Sequence, residues 1–209
     1  MKDARAAGHE EGVVEHPAPA VDHRALVEQL FREHAGFVAS FLARLGLAQA
    51  DIDDAVQEVF GVAYRKGGFM PDRATARTWL GAIATRVASG QRRARFRRER
   101  LHAEPAAALP SDAVSAQHIL EVRESLGRVD RALASLDLSL RAVFVLFELE
   151  GEDCTAIAEA LEVPVGTVYS RLHTARKRFI AAHEALLHTE AESAQRRQRV
   201  GHSDAGERP

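Results

Sequence analysis

The sequence predicts an all-α protein of two small helical domains joined by a flexible linker, with a helix-turn-helix in the second. Three observations lead there. Apolar residues recur at steps of three and four in one segment after another, the period of a helix with one buried face. A stretch from His102 to Val114 carries Pro105, Pro110 and an alanine run but no apolar stripe, so it divides the chain. Pro164 interrupts a helical run between two short amphipathic stretches, as expected of two helices meeting at a tight turn.

Composition agrees with a folded protein. The chain has 209 residues, 46% of them hydrophobic, and a formal charge of −2. That balance is too apolar for a disordered chain and does not by itself advertise nucleic acid. The single cysteine, Cys154, excludes an internal disulfide and a multi-cysteine zinc site, and reads as a small buried apolar residue. No apolar run approaches the ~20 residues of a membrane span. The polar, acid-bearing start does not read as a secretory signal, and residues 1–21 read as a flexible tail. The expectation is a cytoplasmic protein with no membrane association.

The first domain is expected over residues 22–100. Asp22 can cap a helix to about Leu45, with Leu26, Leu30, Phe37, Phe41 and Leu45 on a broad apolar face and Gly46 at its C-terminal end. A second helix from about Ala50 to Arg65 buries Ile52, Val56, Val59 and Ala63. Asp51, Asp53, Asp54, Gln57 and Glu58 crowd its other side. Without further context such a cluster reads as a solvated face, and Asp51 and Asp53 near the N-terminus also suit the helix dipole. It is no catalytic carboxylate pair, because no metal-ligand set or partner acid recurs at matching spacing. Lys66-Gly67-Gly68-Phe69-Met70-Pro71 marks a loop. A third helix begins near Ala74, with Trp79, Leu80, Ile83, Ala84 and Val87 inward and Trp79 as a core anchor. From Arg77 to Arg100 the chain holds eight arginines against one acid, Glu99. Arginines in that number beside an amphipathic helix favour a phosphate-binding surface. Gly90 weakens the helix by about 1 kcal/mol relative to alanine and leaves its continuation into the arginine run open.

After a linker over 101–114, the second domain is expected over 115–187. A helix from about Ser115 to Ser135 carries Ile119, Val122, Leu126, Val129 and Leu133 at helical steps. Asp137-Leu138-Ser139 caps another, whose run from Ala142 to Phe147 must be largely buried. Asp153 then caps the first helix of the helix-turn-helix, with Ile157, Ala160 and Leu161 inward. Past Pro164, Val168, Leu172, Ala175 and Phe179 line the inner stripe of the second. At about 100° per residue, Ser170, His173, Thr174 and Lys177 lie opposite that stripe, flanked by Tyr169, Arg171, Arg176 and Arg178. No acid falls between Gly166 and Arg178, whereas Glu148, Glu150, Glu152, Asp153, Glu159 and Glu162 crowd the segment before. A basic helix after an acidic one suggests that the second faces a phosphate backbone. Residues 188–209 are polar and read as a flexible tail.

Here the chain resembles a known family. Pro164-Val165-Gly166-Thr167-Val168, then Ser170-Arg171-Leu172-His173, then Ala175-Arg176-Lys177 are similar to the C-terminal domain of the small extracytoplasmic-function RNA polymerase sigma factors of the sigma-70 family. Leu149-Glu150-Gly151 and Ile157-Ala158-Glu159-Ala160-Leu161 fit the same pattern. Asp51-Ile52-Asp53-Asp54-Ala55-Val56-Gln57-Glu58-Val59-Phe60 is similar to the segment that docks on core polymerase. Thr78-Trp79-Leu80, Ile83-Ala84 and the arginine run resemble the domain that melts and reads the minus-ten element. The resemblance implies an alternative sigma factor whose partners are core RNA polymerase, promoter DNA and an anti-sigma factor. It implies no cofactor and no catalysis of its own. Asp51, Asp53, Asp54, Gln57 and Glu58 would meet the core enzyme. Phe69, in the loop that cradles a flipped base, would meet the minus-ten region together with Arg77, Arg86, Arg92, Arg93 and Arg95. Thr167, Tyr169, Ser170, Arg171, His173, Thr174 and Lys177 would meet the minus-thirty-five region. The chain departs from the family at Tyr169, usually lysine or arginine; at Thr174, commonly arginine; and at Glu162, often glycine. Arg86 stands for a usual asparagine, Gly90 for a usual aspartate and Asp137 for a usual proline.

Two other readings remain at this point. A free-standing regulator would use the helix-turn-helix alone and would leave the acidic helix unexplained. An all-helical enzyme is disfavoured because the ten histidines share no ligand spacing.

Overall fold

The structure, a computed structural model, describes residues 23–67, 69, 74–101 and 117–203. The tail expected over 1–21, the linker expected over 101–114 from residue 102 onward, and residues 204–209 lie outside them. Among the described residues every regular element is helical. The order is α1 (His23–Arg44), α2 (Gln49–Lys66), α3 (Ala76–Leu101), α4 (Gln117–Ala134), α5 (Leu138–Phe144), a π-helical turn (Val145–Leu149), α6 (Cys154–Leu161) and α7 (Val165–Ser203).

Helices α1, α2 and α3 pack on one another as a three-helix group. Ile52, Val56, Val59 and Ala63 are buried from α2, and Leu80, Ile83, Ala84 and Val87 from α3, as the periodicity requires. Trp79 is half-buried and packs against the core beside Phe69, their rings 5.4 Å apart. Gly46 closes α1 with φ of +89°, a left-handed conformation that glycine adopts without strain. Helix α3 passes unbroken through Gly90. The alanines, glutamine and arginines around it are strong helix formers, so one glycine does not end the run.

The second group is α4 to α7. Asp137 caps α5, its Oδ1 accepting from the Leu140 amide at 3.0 Å. Asp153 caps α6, accepting from the Thr155 amide at 2.7 Å and the Ala156 amide at 3.4 Å. Val168, Leu172 and Ala175 are buried and Phe179 is half-buried, stacked on Phe144 at 4.8 Å. Cys154 is buried, and burial, with Asp153 beside it, pushes its thiol above the usual range. Leu126, expected in the inner stripe of α4, is 59% exposed. α4 packs chiefly on α7, and there the contact runs along Arg128 and Val129. The segment from 188, expected as a tail, continues α7 as helix to Ser203. Its alanines, glutamates, glutamines and arginines favour helix, and Glu190 anchors it to Arg131 at 2.7 Å and Arg128 at 3.1 Å on α4.

The two groups share one apolar core, because α3 also packs on α5 and α6. Gly81 of α3 lies so close to the second group that an added Cβ would meet Leu146 at 2.8 Å. Arg141, on α5, is 7% exposed and reaches back to Gly46, and its Nε has no partner. With Leu45, Gly46, Arg92, Arg95, Ala134 and Leu136 it lines a cavity of about 280 Å³ between the groups. Burial, and then the nearby charge of Arg92, lower the Arg141 pKa from its ordinary value.

Candidate nucleic-acid interface

Three surfaces carry the residues singled out from the sequence. On α2, Asp51, Asp53, Asp54, Gln57 and Glu58 are all exposed. They stand away from the buried stripe because hydrophobic and polar positions alternate at helical period. Glu58 accepts from Gln91 of α3 at 3.4 Å. Asp51 and Asp54 also line a depression with Arg92 and Arg95, so acid and arginine surfaces adjoin along one edge.

On α7, Tyr169, Ser170, His173 and Lys177 are exposed, and Thr167, Arg171 and Thr174 are half-buried. The Ser170 hydroxyl donates to the Thr167 carbonyl at 3.0 Å and the Thr174 hydroxyl to the Ser170 carbonyl at 2.9 Å. Both hydroxyls therefore present lone pairs rather than protons outward. His173, Thr174, Lys177, Arg178 and Ala181 surround a shallow apolar-floored depression of the kind a base methyl can occupy. The flanking arginines are engaged. Arg176 pairs with Glu148 and lies over the Phe147 ring, and Arg178 reaches Asp137 at 3.5 Å.

On α3 the expected residues divide. Arg92, Arg93 and Arg95 are exposed. Phe69 is half-buried against Trp79. Arg77 and Arg86 are instead met by carboxylates of the second group. Arg77 pairs with Glu150 at 3.1 Å and also lies over the Phe37 ring, 5.3 Å from its centre. Glu150 takes Arg44 on its other oxygen at 2.6 Å, and its side chain is only 8% exposed. Arg86 pairs with Glu162 at 2.9 Å, and Lys66 joins at 3.3 Å. These two partners, Arg86 foremost, hold the Glu162 carboxyl below the usual carboxylate range. Buried Glu152 accepts from the hydroxyls of Thr75, at 2.8 Å, and Thr78.

The glutamates were visible as an acidic crowd before a basic helix, but their partners were not. Thr75 gave no sequence signal, and Thr78 gave one only as part of the Thr78-Trp79-Leu80 resemblance, not as a partner for Glu152. Two backbone features aim the acids. The π-helical turn at Val145–Leu149 widens the chain path, so that the Glu150 amide bonds back to Val145 at 3.1 Å and the Glu152 amide to Leu146 at 3.0 Å. Glu162 is the one described non-glycine residue with positive φ, +59°, at the end of α6. A left-handed residue there closes the helix, which explains why glycine suits this turn and what the glutamate adds by pairing with α3.

Among the described residues no group of acids, histidines and cysteine could hold a metal ion. Residues 30–98 match the family described as Sigma-70 region 2 and residues 126–179 the family described as Sigma-70, region 4. The chain is 34% identical over 150 residues to the ECF RNA polymerase sigma-E factor of Escherichia coli, covering 67% of this chain and 77% of that protein. It is 31% identical over 164 residues to the ECF RNA polymerase sigma factor SigE of Mycolicibacterium smegmatis, where it covers 76% of this chain but 63% of that longer protein. Among solved structures, CnrH in complex with the cytosolic domain of CnrY superposes with a TM-score of 0.54 at 28% identity, covering 78% of this chain and 90% of that one. The chain belongs to the extracytoplasmic-function sigma factors of the sigma-70 family.

Proposed function

We propose that this chain directs RNA polymerase to a particular set of promoters and works as a dissociable, non-catalytic subunit, the polymerase supplying the chemistry. The first domain, residues 22–100, docks on the core enzyme through Asp51, Asp53, Asp54, Gln57 and Glu58. It opens the minus-ten region with Phe69, Arg77, Arg86, Arg92, Arg93 and Arg95. The second domain, residues 115–187, lays α7 in the major groove of the minus-thirty-five region, with Thr167, Tyr169, Ser170, Arg171, His173, Thr174 and Lys177 against DNA. Residues 101–114 link the two, and two weak DNA contacts plus one protein contact gain through effective concentration. An anti-sigma protein is the expected regulator and the cytoplasm the expected compartment. No described helix is long and apolar enough to cross a membrane.

The supporting observation is the order of the two regions on one chain, with an exposed acidic face on α2 and an exposed polar face on α7. A free-standing regulator needs only the second. The deciding experiment is binding to purified core RNA polymerase, comparing the natural chain with an Asp54→Arg, Gln57→Ala variant. Tight binding that the variant loses supports the sigma assignment. No binding by the folded natural chain would favour the regulator.

A further inference from the structure

Arg141 is a charge without a counter-charge. Its side chain is buried on α5, only 7% exposed, and a guanidinium stays protonated at any physiological pH. Among the described residues no carboxylate pairs with it, and its Nε has no acceptor. Asp130 acts on it only through space, while Arg92, also cationic, opposes it. Burying a lone charge costs free energy unless an opposite charge meets it. What the protein supplies beside Arg141 is space. A cavity of about 280 Å³ is lined by Arg141, by Arg92 and Arg95 of α3, and by Leu45, Gly46, Ala134 and Leu136. Three cations and no acid face it. Asp51 and Asp54 meet Arg92 and Arg95 in the adjoining depression but do not line this cavity. Its volume lies near the lower end of small-ligand sites, about 300 Å³. Gly46, with φ of +89°, lets the turn after α1 lie against the guanidinium, where an added Cβ would meet Nη1 at 2.5 Å.

The donor set selects the anion. An arginine fork takes an anion by two parallel N–H···O bonds. A carboxylate has two oxygens in one plane and satisfies one fork. A phosphate presents its oxygens tetrahedrally and accepts from several forks at once. We propose that the cavity lined by Arg92, Arg95 and Arg141 is a binding site for a small phosphate-bearing ligand, whose charge offsets that of Arg141. A phosphate of nucleic acid has the same chemistry, and the experiment separates the two sources. The inference rests on the cavity and not on which DNA the chain reads.

Calorimetric titration of the full natural chain with pyrophosphate, at constant ionic strength and without divalent cations, measures the site directly. Arg141→Met keeps the aliphatic stem and removes the buried charge. Arg92→Gln removes charge at an exposed position, where folding is not at stake. Arg65→Gln makes the same change on the exposed face of α2, outside the cavity. A single saturable binding event is expected, weakened on the order of tenfold or more by each of the first two variants and unchanged by the third. The urea midpoint of the natural chain should rise with added pyrophosphate, and that of Arg141→Met should not. Anisotropy of a labelled mixed-sequence single strand of about twenty nucleotides tests the other source. Loss of pyrophosphate binding in Arg141→Met with strand binding retained supports a small-ligand site. Loss of strand binding in Arg141→Met, with no saturable uptake of pyrophosphate by the natural chain, would assign the cavity to nucleic-acid phosphate and overturn the proposal. Equal weakening by Arg65→Gln, or undiminished pyrophosphate binding in both cavity variants, would overturn it as well.

Discussion

Helices α3 and α7 both carry arginine in quantity, and the structure handles them differently. On α7 the outward face is free, and its flanking Arg176 and Arg178 pair with acids of their own domain, Glu148 and Asp137. On α3 two arginines pair across the domain boundary, with Glu150 and Glu162. An ion pair inside one domain shapes a surface. An ion pair between domains ties that surface to its neighbour. Charge read along a sequence therefore says what a helix carries, while the placement of the opposing acids says which of those charges are already paired.

The largest way to break this comparison is Leu146→Ala. Leu146 has no solvent exposure and sits on Gly81, so the loss should cost about 2–5 kcal/mol. Ile180→Ala on exposed α7 should cost less than about 0.5 kcal/mol. Urea unfolding of the two variants measures both. Second, duplex DNA should distinguish the helices in the free protein. Lys177→Ala should reduce the salt slope of duplex binding by about 0.9, one phosphate contact, whereas Arg86→Ala should leave it unchanged. Titrations from about 50 to 200 mM salt read the difference.

A smaller effect tests the cap joining α5 to α7. Asp137→Ala removes the Leu140 hydrogen bond and the Arg178 contact and should lower stability by about 1 kcal/mol. The smallest is its pH dependence. Burial raises the Asp137 pKa, but the Leu140 amide, the Ser139 hydroxyl and Arg178 outweigh it and hold the carboxyl below its ordinary value. The folded value thus lies below the unfolded one of about 3.9. The cap's contribution is complete above that pH and is lost as pH falls through the lowered folded value. Circular dichroism on acidification should show Asp137→Asn losing its difference from the natural chain as the pH falls below the ordinary aspartate range.

Much of this architecture was legible because it is local. The stripes Ile52–Val56–Val59–Ala63 and Val168–Leu172–Ala175 follow from helical period alone, and the caps at Asp137 and Asp153 from side-chain chemistry. Exposure of the α2 acids and of Ser170, His173 and Lys177 follows from the same arithmetic. What was not legible is long-range. The pairing of Glu150 with Arg44 and Arg77 spans 106 and 73 residues, and nothing in either segment's pattern names the other. The π-helical turn inserts an irregular step that no periodicity signals. The length of α7 was missed because a polar composition reads as tail until Arg128 and Arg131 supply Glu190 with partners.

Arg141 marks the seam between the two groups. Its guanidinium is buried there with Nε unmatched by any protein acceptor and Arg92 close by, so the seam carries a charge whose burial costs stability rather than adding to it.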